Sequence, residues 1–174
     1  PLHVGHCRGA VLGDSLSNLL IFNGNNVIKE YYVNDSGGQI NNFALSVYHR
    51  ILEIKENKPF PQNSDLYPGD YIIEIAKKIL KTNSIKSFQN YNKINKKLAK
   101  ESIKHSMNMI KKNLKLLDIK HNNFVFESNL INKKLVINTI KKLQKKNYIY
   151  KGKLLPPKGE DKKNWKTREQ LLFK

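Results

Sequence analysis

The stretch that decides the fold is Pro1-Leu2-His3-Val4-Gly5-His6-Cys7, which leads directly into a segment that repeats leucine at every fourth position. The repeat, from Leu12 to Leu20, falls on one helical face, and Asn23-Gly24 is a helix-ending signal, so we predict a helix over residues 5–23. The two histidines then lie where a loop becomes a helix. That end of a helix presents unpaired backbone N–H groups and a partial positive charge, and it therefore favours a phosphate.

A strand and a second helix follow the first helix. Val27 to Val33 is rich in β-branched and aromatic residues, which predicts a strand, and Asn34 to Gly38 has the composition of a turn. Apolar residues recur at helical spacing from Ile40 to Ile54 and predict a second helix. Helix, strand, turn and helix in close succession predict a parallel α/β layer, and the strand that should precede the first helix would lie upstream of Pro1.

The rest of the chain is predicted to be mostly helical. The elements are a proline-rich loop over 57–68, a short helix opened by Tyr67-Pro68-Gly69-Asp70 and running to about Leu80, a weakly patterned polar stretch over 82–95, a long helix over about 95–117, a strand over 123–127, a helix over about 130–147, and a β-hairpin over 148–155 closed by residues 156–159. We expect the helix over 130–147 to bury Val136, Ile140 and Leu143.

The positive charge is unevenly distributed. The 174 residues include 32 Lys and Arg against 14 Asp and Glu, a net charge of +18, and only three of the 32 are arginine. Lysine, asparagine and isoleucine share A/T-rich codons and make up 69 residues, so coding bias contributes to the charge. Residues 1–76 nevertheless carry a net charge of −3 and residues 77–174 a net charge of +21. Because both parts share the bias, the difference between them is informative.

Composition also excludes several classes of protein. One cysteine rules out a disulfide framework and a multi-cysteine zinc site. No apolar run reaches the roughly 18 residues of a membrane span, and no signal peptide opens the chain. We therefore expect a soluble protein of a reducing compartment, without a membrane partner.

His3 and His6 are the candidate catalytic residues. Two imidazoles three residues apart project from the same side of the first helical turn, where each donates a hydrogen bond to a phosphate oxygen as charge grows on an attacked phosphoanhydride. Gly5 leaves room for a flat base, and Gly9 and Gly13 continue a bare stripe for close approach of a strand or nucleotide. A purely structural role for the histidines is the alternative. A metal site would need further ligands beside the histidines and Cys7. No such residue follows at metal-ligand spacing, so we predict no metal site.

Several segments resemble one known family. Pro1 to Asp14 resembles the HIGH motif, the ATP-site signature of class I aminoacyl-tRNA synthetases, in the version of the bacterial-type arginyl-tRNA synthetases. Three further segments resemble the same family in the same order, and together the four cover nearly the whole chain. The three are Glu30 to Ile40, Tyr67-Pro68-Gly69-Asp70-Tyr71, and Leu154 to Gly159 with Trp165, Arg168 and Phe173.

The resemblance implies an α/β fold, an incomplete Rossmann-like nucleotide-binding domain with a helical or α+β insertion. Residues 1–56 would be the first part of the ATP-binding domain, residues 57–95 an insertion and loop region, and residues 96–174 a lysine-rich connective segment leading to a second catalytic half. The chain would then be an internal fragment that lacks the upstream strand, the Lys-Met-Ser-Lys-Ser-type loop and the anticodon-binding domain, and we expect it to be inactive alone.

The activity implied is that of an arginine–tRNA ligase, which uses ATP with Mg²⁺ to convert L-arginine to arginyl-adenylate and then esterifies the 3′ end of tRNA(Arg). By the same resemblance, His3, Gly5, His6 and Gly9 contact ATP. Glu127 matches the position of a carboxylate near the substrate guanidinium. Hydrogen-bonded pairs of a guanidinium and a carboxylate are strong and directional. The alternative for Glu127 is a surface residue at the end of a strand.

Other candidates have an open alternative too. Asn34, Asp35, Gly37 and Gln39 follow a strand at the end where open α/β sheets bind ligands, which makes them a candidate active-site loop or a plain turn and helix cap. Tyr67 and Tyr71 are assigned a packing role and no chemistry. The lysines of the helix over 130–147 form either a solvated face or a surface for tRNA phosphates. They are Lys141, Lys142, Lys145 and Lys146.

Two other functions remain open from the sequence. One is a different class I synthetase, or another nucleotidyltransferase with the same His-x-Gly-His turn, and the segments Glu30 to Ile40 and Pro156 to Gln170 argue against it. The other is a non-catalytic RNA-binding fragment or paralogue, against which the intact histidines argue. By the resemblance, we expect a monomer in the cytoplasm of a bacterium or in an organelle matrix.

Overall fold

The computed structural model describes residues 3–154 and 168–174 of the chain. The chain forms two compact units, Pro1–Glu127 and Ser128–Lys174. The described elements are, in chain order, α1 (Val4–Phe22), β1 (Glu30–Val33), α2 (Gly38–Glu56), α3 (Asp70–Thr82), α4 (Tyr91–Leu116), β2 (Asn123–Phe126), α5 (Glu127–Asn132), α6 (Leu135–Lys145), β3 (Ile149–Lys153) and β4 (Glu169–Phe173).

Helices α2, α3 and α4 build the core of the first unit. The spacing of apolar residues predicted α2, and the Tyr67-Pro68-Gly69-Asp70 opening predicted α3. Each helix has one apolar face to bury. Ile72, Ile75 and Ile79 of α3 are at most 1% exposed and form one cluster with Val47 and Ile51 of α2. Burying a side chain of this size stabilises a fold by roughly 1.5–3 kcal/mol. This cluster is therefore what holds the first unit together.

The polar stretch over 82–95 belongs to this core, although its sequence shows little pattern. Ile85 and Phe88 are 7% and 6% exposed and join the same cluster. The Asn90 side chain accepts a hydrogen bond from the backbone N–H of Lys93 at 3.3 Å, and α4 begins directly after this cap, at Tyr91. The predicted start near residue 95 was wrong because the cap residue lies inside the polar stretch.

Strands β1 and β2 form a parallel pair, so the prediction of a parallel α/β layer is confirmed. Glu30 lies opposite Asn123, and Val33 lies opposite Phe126. Ahead of β1, the backbone N–H of Lys29 donates to the side-chain oxygen of Asn122, 93 residues further along the chain, at 2.7 Å. Because the strands are parallel, both end at the same edge of the layer. The residues that follow Val33 and Phe126 are therefore neighbours.

Helix α1 has no buried residue and turns its leucines outward. Gly9 and Gly13 line a cleft together with Lys29, but a Cβ on either glycine would meet nothing within 4 Å, so the predicted close approach of a strand is wrong for the described residues. Leu12 and Leu16 are 68% and 56% exposed. The leucine repeat that predicts the helix is thus exposed and forms no part of the core.

The second unit corrects the predicted hairpin over 148–155. Residues Ile149–Lys153 form a single strand, β3, whose antiparallel partner is β4, with Ile149 opposite Phe173. Gly152 is a strand residue and not a turn residue, because it lies opposite Gln170 in this pairing. A Cβ on it would lie 2.8 Å from the Leu172 side chain and 2.9 Å from the Tyr150 ring, so glycine makes room for both. Residues 156–159, which the prediction gave the closing role, lie outside the described residues.

The helix predicted over 130–147 is also interrupted. Lys134 has a left-handed backbone with φ of 56°, and its N–H donates to the carbonyl oxygen of Ile131 at 2.9 Å, which ends α5 before α6 begins. Val136 was predicted to be buried and is 48% exposed, whereas Ile140 and Leu143 are half-buried. In the described residues of this unit, none of the α6 side chains is fully buried.

No helix within the described residues combines the length and the apolar character that a membrane crossing requires.

Substituting Asp14→Asn tests the link between α1 and β1. Asp14 and Lys29 form an ion pair at 2.8 Å, and the hydrogen bond from Lys29 lowers the pKa of Asp14, against the opposing effect of partial burial. Because the folded-state pKa is below the unfolded-state value, the pair stabilises the fold above the ordinary pKa of a carboxyl group. This stabilisation disappears as the pH falls through the lowered value. The substitution should cost up to about 1 kcal/mol of unfolding free energy at neutral pH and nothing in acid.

Urea unfolding followed by circular dichroism measures this difference. Asp118→Asn is the matched control, because the Asp118 side chain is 92% exposed and lies 3.9 Å from Lys120. Equal effects of the two substitutions at neutral pH would show that the Asp14–Lys29 pair does not hold α1.

Candidate active site

The N-terminus of α1 is capped by its own two histidines. Nδ1 of His3 accepts a hydrogen bond from the backbone N–H of Gly5 at 3.1 Å, and Nδ1 of His6 accepts one from the backbone N–H of His3 at 3.4 Å. The two exposed rings stack with their centroids 3.7 Å apart. This reciprocal arrangement is a capping box in which imidazole nitrogens replace the usual hydroxyl and carboxyl oxygens.

The absence of a side chain at Gly5 makes the cap fit. A Cβ on Gly5 would lie 3.0 Å from Cε1 and 3.2 Å from Nδ1 of His3. The His3 ring therefore occupies the space beside the first turn that the sequence assigns to a flat base. Because Nδ1 is an acceptor in both caps, each neutral imidazole carries its proton on Nε2 and keeps one N–H donor for another partner.

The two histidines line a cavity of about 450 Å³ within the first unit. Asn34 and Gln39 line the same cavity from the segment that follows β1, so four residues selected from the sequence share one space. Val33, the last residue of β1, lines it as well, which locates the cavity at the carboxyl end of the parallel strands. Ligands of open α/β sheets bind at that end.

An aromatic wall of this cavity has no counterpart among the predicted site residues. It comes from β1, α2 and the Tyr67–Tyr71 segment, and burial raises the pKa of Tyr31 and of Tyr71, which keeps both phenols neutral. The Tyr-Pro-Gly-Asp-Tyr motif was the available signal, but the sequence assigns its tyrosines a packing role only. The wall consists of Tyr31, Tyr32, Phe43, Tyr67 and Tyr71.

The Tyr67–Tyr71 segment is held in place by α2 and by its own turn. The backbone N–H of Tyr67 donates to Oγ of Ser46 at 2.9 Å, and the Tyr67 ring meets the edge of Phe43 with centroids 6.2 Å apart. The Tyr71 ring lies so close to Gly69 that a Cβ there would be 2.8 Å away. The glycine in the motif therefore makes room for the second tyrosine.

Helix α4 forms a further wall that the sequence did not assign to the site. Four of its residues line the cavity at helical spacing, and three of them are apolar residues of the kind that also forms the buried face of a helix. A stripe that packs and a stripe that lines a cavity have the same spacing, so periodicity does not separate them. The four are Ile103, Ser106, Met107 and Ile110.

Glu127 lies beside Asn34 at the ends of the two strands. When the amide nitrogen of Asn34 faces the carbonyl oxygen of Ser36 and Oε2 of Glu127, it donates to them at 3.1 Å and 3.2 Å. Desolvation raises the pKa of Tyr32. The negative charge of Glu127 raises it further, as does a hydrogen bond from the Tyr32 hydroxyl to the Glu127 carboxylate, and Asp35 adds to the effect. Neighbouring groups on β1 and just after it thus hold the Glu127 carboxylate.

Some of the predicted site residues lie outside the cavity. Asp35, Gly37 and Glu127 are close to it in sequence or space but do not line it. Gly37 has φ of 85° and precedes α2, so its backbone favours glycine for reasons of conformation. Gly9 lines the separate cleft of about 320 Å³ between α1 and Lys29.

The predicted RNA contacts and the metal question concern other residues. All four lysines are exposed and belong to the second unit, three of them on α6 and Lys146 as the residue that caps its C-terminus. Within the described ranges, 3–154 and 168–174, no group of three or more His, Cys, Asp or Glu side chains is arranged to hold a metal ion. The lysines are Lys141, Lys142, Lys145 and Lys146.

Comparison with known proteins agrees with the geometry of the site. Residues 1–153 match the profile of the family described as tRNA synthetases class I (R), catalytic domain. The chain belongs to this class I tRNA synthetase (R) family. The resemblance found from Pro1 to Asp14 and in the later segments is therefore confirmed, and so is the α/β class of the fold.

Named relatives of this synthetase chain are arginine–tRNA ligases. The chain is 53% identical over 175 residues to the Pelagibacter ubique ligase and 44% identical over 177 residues to the Bartonella henselae ligase. Each match covers 100% of the chain and 30% of the relative, so the chain spans about a third of the length of these proteins. A crystal structure from Campylobacter jejuni that carries the name arginyl tRNA synthetase matches with 32% identity and a TM-score of 0.75, over 89% of this chain and 34% of that one.

Replacing Ser46 by alanine tests the anchor of the aromatic wall. Ser46 is fully buried, and its hydroxyl donates to the carbonyl oxygen of Asn42 at 2.7 Å while accepting from the backbone N–H of Tyr67. The substitution leaves that N–H without an acceptor and should cost about 1–3 kcal/mol of unfolding free energy.

Chemical denaturation of the purified chain gives this value. The matched control is Ser17→Ala. The Ser17 hydroxyl also donates to a backbone carbonyl oxygen, that of Gly13, but among the described residues it accepts no hydrogen bond. A loss no greater for Ser46→Ala than for Ser17→Ala would contradict the anchor.

Proposed function

We propose that the chain forms the ATP-binding part of an arginine–tRNA ligase. In this reaction the carboxylate of L-arginine attacks the α-phosphorus of ATP, arginyl-adenylate forms and pyrophosphate leaves. The arginyl group then passes to the 3′ end of tRNA(Arg), and AMP is released. The observation that carries the proposal is the pair His3 and His6 on the first turn of α1, lining a cavity at the carboxyl end of parallel strands.

The chemistry of the histidines follows from their hydrogen bonds. In the cap both Nδ1 atoms are occupied by backbone N–H groups, so Nε2–H is the donor that each ring has available. We propose that these two donors, with the N-terminus of α1, hold the phosphates of ATP at the end of the helix. Charge grows on the phosphate oxygens as the α-phosphorus is attacked, and donors already in position stabilise it most. Mg²⁺ enters with ATP, and no residue of the chain is assigned to it.

Glu127 is the proposed partner of the substrate guanidinium. Its carboxylate lies at the ends of the paired strands and is oriented by the Asn34 amide and the Tyr32 hydroxyl. An arginine side chain paired with a carboxylate gains strength and direction from two parallel hydrogen bonds. Asn34, Asp35, Gly37 and Gln39 are proposed as the loop that surrounds the reacting groups.

The finer architecture is part of the proposal. The small-residue face of α1 beside a parallel strand supports a Rossmann-like domain that begins with residues 1–56. Residues 57–95 would be inserted into it, and residues 96–174 would connect it to a second catalytic half. Gly9 is proposed to assist ATP binding by leaving the side of α1 open.

The partners proposed for the whole protein are L-arginine and tRNA(Arg), with no membrane partner. Lys141, Lys142, Lys145 and Lys146 are proposed as contacts to tRNA phosphates, because they are exposed and lie within two turns of one helix. A monomer in the bacterial cytoplasm or in an organelle matrix fits this function. The match to the family described as tRNA synthetases class I (R) favours an arginine–tRNA ligase over another class I synthetase.

Substituting His6→Ala tests the proposed role of the histidines. The assay protein is a chimera in which these 174 residues replace the matching segment of the Pelagibacter ubique relative. Arginine-dependent ATP–pyrophosphate exchange in the presence of tRNA should fall on the order of 100- to 1,000-fold in kcat, since one donor to the developing charge is lost.

Cys7→Ala is the matched control, because Cys7 is the next residue on α1 and does not line the cavity. Exchange that survives His6→Ala at the control level would reject the catalytic assignment. The 174-residue chain by itself is expected to show no exchange, since it supplies only part of the relatives' length.

Substituting Glu127→Gln tests the arginine site. Removing the negative charge while keeping the shape should raise the KM for arginine roughly 10- to 100-fold and leave the KM for ATP unchanged. The same chimera and assay apply, with Glu74→Gln, on the exposed face of α3, as the control. An unchanged KM for arginine would place the guanidinium elsewhere.

A further inference from the structure

Helix α4 carries a row of lysines along its one free side. Six exposed lysines lie within about 60° of one another around the axis, at about 3.6 residues per turn. From Lys93 to Lys115 the row is about 33 Å long, at about 1.5 Å per residue. The six form what we call the α4 lysine face: Lys93, Lys97, Lys100, Lys104, Lys111 and Lys115.

The other two sides of α4 are already used. Leu98 and Ser102 are 0% exposed, and Leu98 belongs to the core cluster that α2 and α3 supply. Ile103 and Met107, further round the helix, line the cavity that holds the histidines. The lysine face is therefore the side left for a partner, and it runs along the same rigid helix that forms a wall of the proposed active site.

The lysine face has little internal compensation for its charge. Glu101 is the one acidic residue in the sequence of α4, and none of the salt bridges in the described part of the chain involves an α4 lysine. Lys93 lies in the first turn, where the helix dipole disfavours a cation. Lysines at i and i+4, such as Lys100 and Lys104, repel each other. A polyanion laid along the helix would relieve both effects.

Coding bias does not explain the placement of these lysines. Helix α1 contains no lysine and α2 contains only Lys55, although the same coding bias acts on both helices. The row also continues sideways onto α3. Burial lowers the pKa of His105, with Glu101 opposing and with Lys78 and Lys104 adding to the effect, so a lysine of α3 lies close to the row.

We propose that the α4 lysine face binds the phosphate backbone of an RNA duplex. The inference rests on the proposed function, because tRNA is the polyanion that function supplies. A straight row of point charges about 33 Å long fits a duplex backbone better than a compact anion. Lys111 differs from the rest, since its Nζ lies 4.4 Å from the centroid of the Phe124 ring, and it is left unchanged in the test.

The test compares two variants that each lose four charges. The α4 variant carries Lys93→Gln, Lys97→Gln, Lys100→Gln and Lys104→Gln. The control variant carries four Lys→Gln changes at exposed positions of the first unit outside α3 and α4, namely Lys55, Lys58, Lys86 and Lys120. Far-UV circular dichroism first establishes that both variants keep the fold of the 174-residue chain.

Binding of a fluorescein-labelled RNA stem-loop is then followed by anisotropy over a range of KCl concentrations. The α4 variant should bind on the order of 100-fold more weakly at low salt, and its slope of log Kd against log salt should fall by about 3 to 4. The control variant should retain nearly the parent slope. Equal losses in both variants, or no loss in the α4 variant, would overturn the proposal, as would binding to phosphatidylserine vesicles that the RNA does not displace.

Charging by the chimera separates this inference from the proposed function. The α4 variant should raise the KM for tRNA(Arg) and leave the KM values for ATP and arginine unchanged. An unchanged KM for tRNA(Arg) would overturn the inference and leave the ligase assignment intact. A chimera that forms no arginyl-tRNA contradicts the proposed function, and the RNA titration still decides the α4 lysine face.

Discussion

The parallel pairing of β1 with β2 is the interaction on which the rest of the site depends. It joins Lys29 to Asn122 across 93 residues and sets Val33 opposite Phe126. Because parallel strands end at one edge, the pairing brings Asn34 beside Glu127. Helices α2, α3 and α4, which form the core, lie between the two strands in the sequence. The packing of that core and the geometry of the site are therefore coupled.

The histidines at the start of α1 combine two roles in one position. In this structure they cap the helix, with both Nδ1 atoms accepting backbone hydrogen bonds and the rings stacked at 3.7 Å. A phosphate at the same place would find the donor Nε2–H of each ring and the dipole of the helix. A role in capping the helix and a role in catalysis are therefore compatible interpretations of the motif. Gly5 contributes to the cap by leaving room for the His3 ring.

Local signals made much of this fold predictable. Each of four signals lies within one element or at its end, and each gave the correct type of structure. They are the apolar spacing of α2, the Tyr-Pro-Gly-Asp opening of α3, the β-branched and aromatic composition of β1, and the Asn-Gly end of α1. Failures arose where the deciding partner is distant. Residues 149–153 pair with 169–173, and a sequence window around Gly152 does not contain that partner.

The candidate site was predictable in a similar way. His3, His6, Asn34 and Gln39 were selected from the motif and from the end of a strand, and the fold brings all four to one cavity. The aromatic wall and the α4 wall were missed because a side chain that lines a cavity has the same periodicity as one that packs in a core. Assigning Tyr67 to the cavity needs the tertiary contact to Ser46, which no spacing rule supplies.

The central claim is that the two histidines at the N-terminus of α1 hold the phosphates of ATP. The most direct measurement is a crystal structure of the chimera with ATP and a non-reactive arginine analogue. The account predicts phosphate oxygens at hydrogen-bonding distance, about 3 Å, from a ring nitrogen of both His3 and His6. Phosphates bound elsewhere, with the histidine cap closed as it is here, would contradict it.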